Sequence, residues 1–157
     1  MVVWRLQDSK HPLINSAGAA LTGGRWNRQG TPAIYASEDM VLAAMEVIVH
    51  HGGIPDDYIG IKIEIPDDVE VGVIDIPAGW PDIVPEAITA EQGTNWLNSS
   101  THAVLRVPSA TMSVSGWNYL LNPAHPDFSR ISFSFEPVRF DPRLRKRVHN
   151  IEHGPNG

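Results

Sequence analysis

Ala33-Ile34-Tyr35-Ala36-Ser37-Glu38-Asp39, running into Met40-Val41-Leu42-Ala43-Ala44-Met45-Glu46-Val47-Ile48-Val49-His50-His51-Gly52-Gly53, is the stretch on which the fold turns. Ala33–Ala36 is a short apolar run of strand type. Ser37 stands where an N-cap belongs. Glu38 and Asp39 put negative charge on a first helical turn, where the helix dipole favours it. Val41, Ala44, Met45 and Ile48 recur at i, i+3, i+4 and i+7, which predicts a helix from Glu38 to His51. Gly52-Gly53 ends it. This helix is apolar on nearly every side, the pattern of a buried helix. Glu46 is the only charge between Met40 and Val49. A carboxylate there is costly unless it is paired or functional.

Outward from this stretch the elements are short. Val2 to Leu6 reads as an opening strand, and Gln7 to Leu21 as a loop. Tyr58 to Ile65 alternates, with Ile59, Ile61, Ile63 and Ile65 on one side and Gly60, Lys62 and Glu64 on the other: a half-buried strand. Val69 to Ile76 is a further strand candidate. Pro77, Pro81 and Pro85 mark a loop. Thr89 to Asn98 predicts a short helix with Trp96 and Leu97 inward. Ala103 to Val107 is a strand stopped by Pro108, and Tyr119-Leu120-Leu121 ends at the turn Asn122-Pro123. Ile131–Phe135 and Pro137–Phe140 read as closing strands. Uneven groups of strands with few helices predict an α+β fold rather than a regular parallel alternation.

The composition bounds what this fold can do. At 157 residues the chain suits one domain, expected over 1–148, with 149–157 as a mobile tail. Eighteen acidic against 12 basic side chains give a formal charge of −6, which disfavours nonspecific binding to nucleic acid. There is no cysteine, hence no disulfide, thiol nucleophile or iron–sulfur cluster, in keeping with a reducing cytoplasm. No secretory signal or membrane-spanning run is visible. Hydrophobic residues make up 42% and charged residues 19%, a globular balance.

Several motifs invite a chemical reading. Gly23-Gly24-Arg25-Trp26-Asn27 sets a guanidinium beside glycines that let backbone approach a ligand, and arginine grips phosphate in bidentate fashion. It is neither a Walker loop nor a dinucleotide fingerprint. Ser109 follows Pro108 directly after a strand, where it can point into a cleft. His149-Asn150-Ile151-Glu152-His153 matches an inverted zincin pattern, but with so little chain behind it the reading is a frayed tail and no metal site. His50-His51 reads as a helix end rather than a pair of metal ligands. Arg139, Arg143, Arg145, Lys146 and Arg147 form a basic segment that is either a solvated face or a dock for an acidic partner.

In order along the chain, these pieces resemble the RES-domain family, the toxins of bacterial Xre–RES toxin–antitoxin pairs. The Arg, Glu and Ser of its name match Arg25, Glu46 and Ser109. Trp4-Arg5, Tyr35-Ala36-Ser37, Leu105-Arg106-Val107-Pro108-Ser109, Asn118-Tyr119-Leu120-Leu121-Asn122-Pro123-Ala124-His125-Pro126 and Phe140-Asp141-Pro142-Arg143-Leu144 resemble its other landmarks. Ser115-Gly116-Trp117 departs from the acidic residues the family often carries before Asn118. The resemblance implies an ADP-ribosyltransferase-like fold, two small β-sheets around an NAD cleft with flanking helices. It implies a toxin that consumes NAD⁺ as substrate, with no cofactor, by breaking the nicotinamide–ribose bond. The partner it implies is an Xre-type helix-turn-helix antitoxin, through which alone the toxin meets DNA. A homo-oligomer is compatible with the sequence.

On that resemblance Glu46 stabilises the developing ribose cation, Arg25 neutralises the pyrophosphate, and Arg5 gives a second phosphate or ribose contact. Tyr35 stacks on nicotinamide. Ser109 bonds the ribose or positions Glu46. Asn118 lines the NAD site or, like Asn122, ties its loop. The acceptor stays open between water, phosphate and a protein side chain; the lack of a Glu-x-Glu near Glu46 tilts it toward a small acceptor. Two alternatives are a mono-ADP-ribosyltransferase toxin that modifies a cellular protein and a non-catalytic nucleotide- or partner-binding module.

Overall fold

A computed structural model describes residues 1–11, 14, 16–76, 80, 86–111 and 116–145. The expected tail, the His149–His153 motif, the prolines at 77, 81 and 85, and Ser115 lie outside the described residues.

The expected α+β architecture is what the chain adopts. Among the described residues, seven strands are β1 (Val2–Asp8), β2 (Ile34–Ser37), β3 (Tyr58–Glu64), β4 (Val71–Val73), β5 (Val104–Pro108), β6 (Trp117–Leu121) and β7 (Ser132–Glu136). The α-helices of the described residues are α1 (Ala17–Thr22), α2 (Met40–His51) and α3 (Glu86–Ser99). The strands run β4-β5-β6-β2-β1-β3-β7 in one hydrogen-bonded sheet. Among the strands of the described residues, only β4–β5 pair in parallel.

The two small sheets implied by the resemblance correspond to the two halves of this sheet. One half is β4-β5-β6-β2 and the other is β1-β3-β7. Strand β1 pairs with β3 over seven residues, but with β2 only at Trp4↔Ser37. Past that pair the halves diverge. Arg5 spans the opening, its Nη1 donating to the Tyr35 carbonyl at 2.9 Å. A strand-edge acceptor that no neighbouring strand reaches is thereby satisfied.

Register sorts the side chains by face. Ile34, Ala36, Tyr119, Leu121 and Val104 join Val3, Ile61, Ile63 and Ile65 in the largest core cluster. This is the alternation read from Tyr58 to Ile65. On the other face Leu105, Val107 and Leu120 pack with Trp26, Ala33 and Leu97. Helix α2 covers Leu6 with Ala43 and Ala44, beside Trp4 and Tyr58.

Helix α2 differs from expectation in two ways. Its N-cap is Asp39, whose side chain accepts from the Leu42 N–H at 2.8 Å, and not Ser37. Ser37 is instead the last residue of β2, buried at 4% exposure. Nor is the helix buried all round: Leu42, Ala43 and Ala44 are buried, while Val41 is 73% and Val49 62% exposed. A helix apolar on every side carries no periodic signal to say which face goes in. Its end was read correctly, with Gly52 left-handed at φ 72°.

Other elements shift as well. The expected loop from Gln7 to Leu21 contains the end of β1 and the start of α1. Helix α3 begins at Glu86, and Leu97 is buried whereas Trp96 is half-buried. The strand candidate Val69–Ile76 reduces to β4. Residues 137–140 are irregular, followed by a 3₁₀ turn at Pro142–Leu144. Pro137 has no N–H to give a ladder, which weighs against a strand there.

Candidate active site

Helix α2 and strand β1 form the two long walls of a cavity of about 570 Å³. Its lining runs along β1 from Trp4 to Asp8 and along α2 from Ala43 to His51, with Tyr35, Ser37 and Asn118 from β2 and β6. That volume lies in the range of small-molecule sites.

Glu46 lines the wall contributed by α2. One of its carboxylate oxygens, Oε1, accepts from Ser109 Oγ at 2.8 Å and from Asn118 Nδ2 at 2.7 Å. The other, Oε2, makes no hydrogen bond among the described residues. The isolated charge of an apolar helix is thus half satisfied and half available. Ser109 is itself buried and accepts from the Thr111 N–H at 3.1 Å. Asn118 Oδ1 accepts from Ser37 Oγ at 2.8 Å. Ser37 pairs with Asn118 across β2–β6, and Val107 pairs with Asn118 across β5–β6, so the sheet register brings these groups beneath one point of α2.

Among the described residues, Arg5 is the only lysine or arginine that lines the cavity. Besides the Tyr35 carbonyl, its Nε reaches Gln7 Oε1 at 3.4 Å. It has no carboxylate partner among the described residues. Burial pushes its pKa below the ordinary arginine value, opposed by the Tyr58 hydroxyl. A largely buried cation without an acid is a place where an anionic ligand gains.

Tyr35 lines the cavity, and its hydroxyl is anchored on the turn that precedes β2. The hydroxyl donates to Asn27 Oδ1 at 2.7 Å and accepts from the Trp26 N–H at 3.0 Å. Burial drives its pKa well above that of an ordinary phenol. Asn27 is 1% exposed and donates to the carbonyls of Ala19 and Thr31. The Gly-Gly-Arg-Trp-Asn motif is therefore a folded turn with Asn27 at its centre.

Arg25 does not line the cavity; its guanidinium lies over the Trp80 ring at 5.3 Å from the centroid. Of the residues named from sequence, the structure brings Glu46, Ser109 and Asn118 into direct contact and sets Arg5 and Tyr35 on the same cavity. Asn122 lies apart: it is buried, donates to the Leu97 carbonyl at 2.9 Å and accepts from the Ala124 N–H. Ser37 was read from the sequence as a helix N-cap and not as part of the site, because a serine at a strand end looks like a cap. His50 and His51 line the cavity mouth, and His51 Nε2 lies 3.2 Å from the Tyr58 hydroxyl.

The matching of Arg25, Glu46 and Ser109 is joined by comparison with known proteins: the model of the RES domain matches residues 2–143. The chain belongs to the RES-domain family. RES proteins are a toxin family of toxin–antitoxin systems. A "Prs ADP-ribosylating toxin" of Sphingobium sp. (strain YBL2) is 36% identical over 86% of this chain and 88% of its own length. A "Toxin Res" of Photorhabdus laumondii is 36% identical over 93% of this chain and 98% of its own. Among solved structures, a chain of the M. tuberculosis MbcT–MbcA toxin–antitoxin complex superposes with a TM-score of 0.66. At 16% identity, covering 87% of this chain and 83% of that one, it shares the fold. The α+β arrangement expected from the sequence is thus one that a chain of that complex shares.

The remaining sequence readings resolve locally. Arg143 is paired to Asp141 and Arg145 to Asp56, so the described part of the basic segment is partly neutralised by its own neighbours. Among the described residues no helix is long and apolar enough to cross a membrane.

Proposed function

We propose that the cavity takes NAD⁺ as substrate and that Glu46 promotes cleavage of the nicotinamide–ribose bond, with no resident cofactor or metal. The observation that carries this reading is the Glu46 carboxylate on the cavity wall, one oxygen held by Ser109 and Asn118 and the other free. The bond between ribose C1′ and the nicotinamide nitrogen breaks with its electron pair leaving on nicotinamide, which departs neutral. Positive charge then develops on the ribose, as in glycoside cleavage. A carboxylate fixed beside it stabilises that charge. Water adding at C1′ and losing a proton gives ADP-ribose; phosphate gives the phosphorylated product.

Arg5 meets the diphosphate in this reading, because it is the cation on the wall that lacks an acid. Arg25 is the second candidate, since it too has no carboxylate partner among the described residues. The Tyr35 ring faces the nicotinamide. The toxin acts in the cytoplasm on the common dinucleotide pool, and an Xre-type helix-turn-helix antitoxin silences it. The MbcT–MbcA complex supports an antitoxin partner by analogy of fold.

Mass spectrometry of the products made by purified protein from NAD⁺, with and without phosphate, tests the reading. Free nicotinamide together with ADP-ribose, or with its phosphorylated form only when phosphate is present, is expected. Unchanged NAD⁺ in both would contradict it. The ADP-ribosylating name of the Sphingobium relative favours a second reading, transfer to a protein. Label passing from NAD⁺ to lysate protein, with little free ADP-ribose, would select it.

A further inference from the structure

Ser37 is a buried hydroxyl that the proposed chemistry does not use. It is 4% exposed, yet belongs to the cavity lining. Its Oγ donates to Asn118 Oδ1 at 2.8 Å, and Asn118 Nδ2 in turn donates to Glu46 Oε1 at 2.7 Å. The directions are fixed by chemistry. An ionised carboxylate only accepts, so the Asn118 amide must turn its NH₂ toward Glu46. Its oxygen then faces Ser37, which must donate. Ser37 is also the residue through which β2 meets β1, at Trp4. Its backbone therefore marks the point where the two halves of the sheet join, and its side chain starts a relay that ends on the acid.

We infer that Ser37 is a positioning residue, acting through Asn118 to hold the Glu46 carboxylate with Oε2 turned to the substrate. This deepens the reading of Glu46 proposed above and rests on it. Without the Ser37 hydroxyl, Asn118 Oδ1 loses its donor inside a largely buried site, a loss the amide relieves by rotating toward water in the cavity. Rotation withdraws Nδ2 from Glu46. The acid then keeps only Ser109 and samples other rotamers. Buried polar networks of this kind behave as units rather than as sums of pairs.

A double-mutant cycle on NAD⁺ turnover tests the inference. Ser37→Ala is expected to lower kcat on the order of tenfold, with KM for NAD⁺ unchanged within about twofold. Ser37→Thr, which keeps the donor, restores most of kcat. Ser37→Ala added to Asn118→Ala lowers kcat no further than Asn118→Ala alone. An additive double mutant, or a rise in KM without a fall in kcat, would overturn the relay and give Ser37 a direct contact with substrate. A fall in melting temperature with kcat unchanged would reduce it to a structural residue. If the wild type leaves NAD⁺ intact, the reading of function fails, and the relay is still judged by NMR. The Asn118 side-chain NH₂ is expected to exchange slowly in the wild type and quickly in Ser37→Ala. Equal exchange in both overturns the inference on its own.

Discussion

Tyr35 shows how one side chain serves both fold and site. The residue lines the cavity, while its hydroxyl, donating to Asn27 and accepting from the Trp26 N–H, locks the Gly24–Asn27 turn. Losing that hydroxyl leaves the buried Asn27 Oδ1 without its donor, so Tyr35→Phe is expected to cost about 1–3 kcal/mol in urea unfolding. The pH dependence follows from the raised pKa. The folded protein keeps Tyr35 protonated above the ordinary phenol value of 10.0. Its contribution is therefore complete below that pH and is lost as pH rises beyond it. Stability should fall above about pH 10, and fall less steeply in Tyr35→Phe. Equal slopes in the two proteins would contradict the anchored hydroxyl.

At the same scale, Glu46 was legible because one charge interrupts ten residues of an apolar helix. Ser109 was legible from its place after a strand only as a side chain able to enter a cleft; its role came through the resemblance, since Pro-Ser-Ala has no chemical signature of its own. Ser37 was misread. Local sequence offers it a helix to cap, and Asp39 two residues on offers the same bond; the sheet decides between them by holding Ser37 against Asn118. Arg5 shows no sign in sequence of being a cation without an acid, because that depends on which carboxylates the fold keeps away from it.

Elements whose ends carry chemical markers were readable, and those set by packing were not. Helix α2 stops at a left-handed glycine. Its buried face could not be read, because apolar residues surround it. Helix α1 has no buried residue and no side-chain cap, so nothing in the sequence announces it. It is held by bonds from the turn that follows it, from Asn27 to the Ala19 carbonyl and from the Gly30 N–H to the Ala20 carbonyl. Helix α3 is seated on the turn after α1 by a different device. A Cβ placed on Gly93 would lie 1.9 Å from the Trp26 carbonyl oxygen, so the two backbones touch where only glycine fits. Next to it, Thr94 Oγ1 accepts from the Arg28 N–H at 2.8 Å. Gly93→Ala is therefore expected to destabilise the protein by about 1–3 kcal/mol through forced separation of these elements. An unchanged melting temperature would show that α3 does not dock this closely.

Over the whole molecule, the divergence of the half-sheets past Trp4↔Ser37 gives the cavity its length and direction. From Trp4 to Asp8 along β1 is about 13 Å, and from Glu46 to His51 along α2 about 7.5 Å. A dinucleotide with its nicotinamide ribose at Glu46 must extend toward Asp8, His51 and Tyr58. On the proposed reading of the cavity, the Tyr58 ring there, set edge-on to His51 at 5.8 Å, is the surface that adenine would meet. Removing that surface is expected to raise KM for NAD⁺ about tenfold in Tyr58→Ala. Inhibition by nicotinamide mononucleotide, which has no adenosine, should be unchanged. A matching loss of both would mean that the dinucleotide lies the other way or elsewhere.

The α+β class was visible in the uneven order of strands and the two halves through the resemblance, whereas their union in one sheet was not, because it depends on a single registered pair. The central claim concerns the acid at the near end of that split. Release of nicotinamide from NAD⁺ by purified wild type and by Glu46→Gln, both shown folded by circular dichroism, addresses it directly. The amide keeps the shape and removes the charge, so the rate should fall by about 10²–10³, with KM little altered. A Glu46→Gln protein that releases nicotinamide as fast as the wild type would contradict the account.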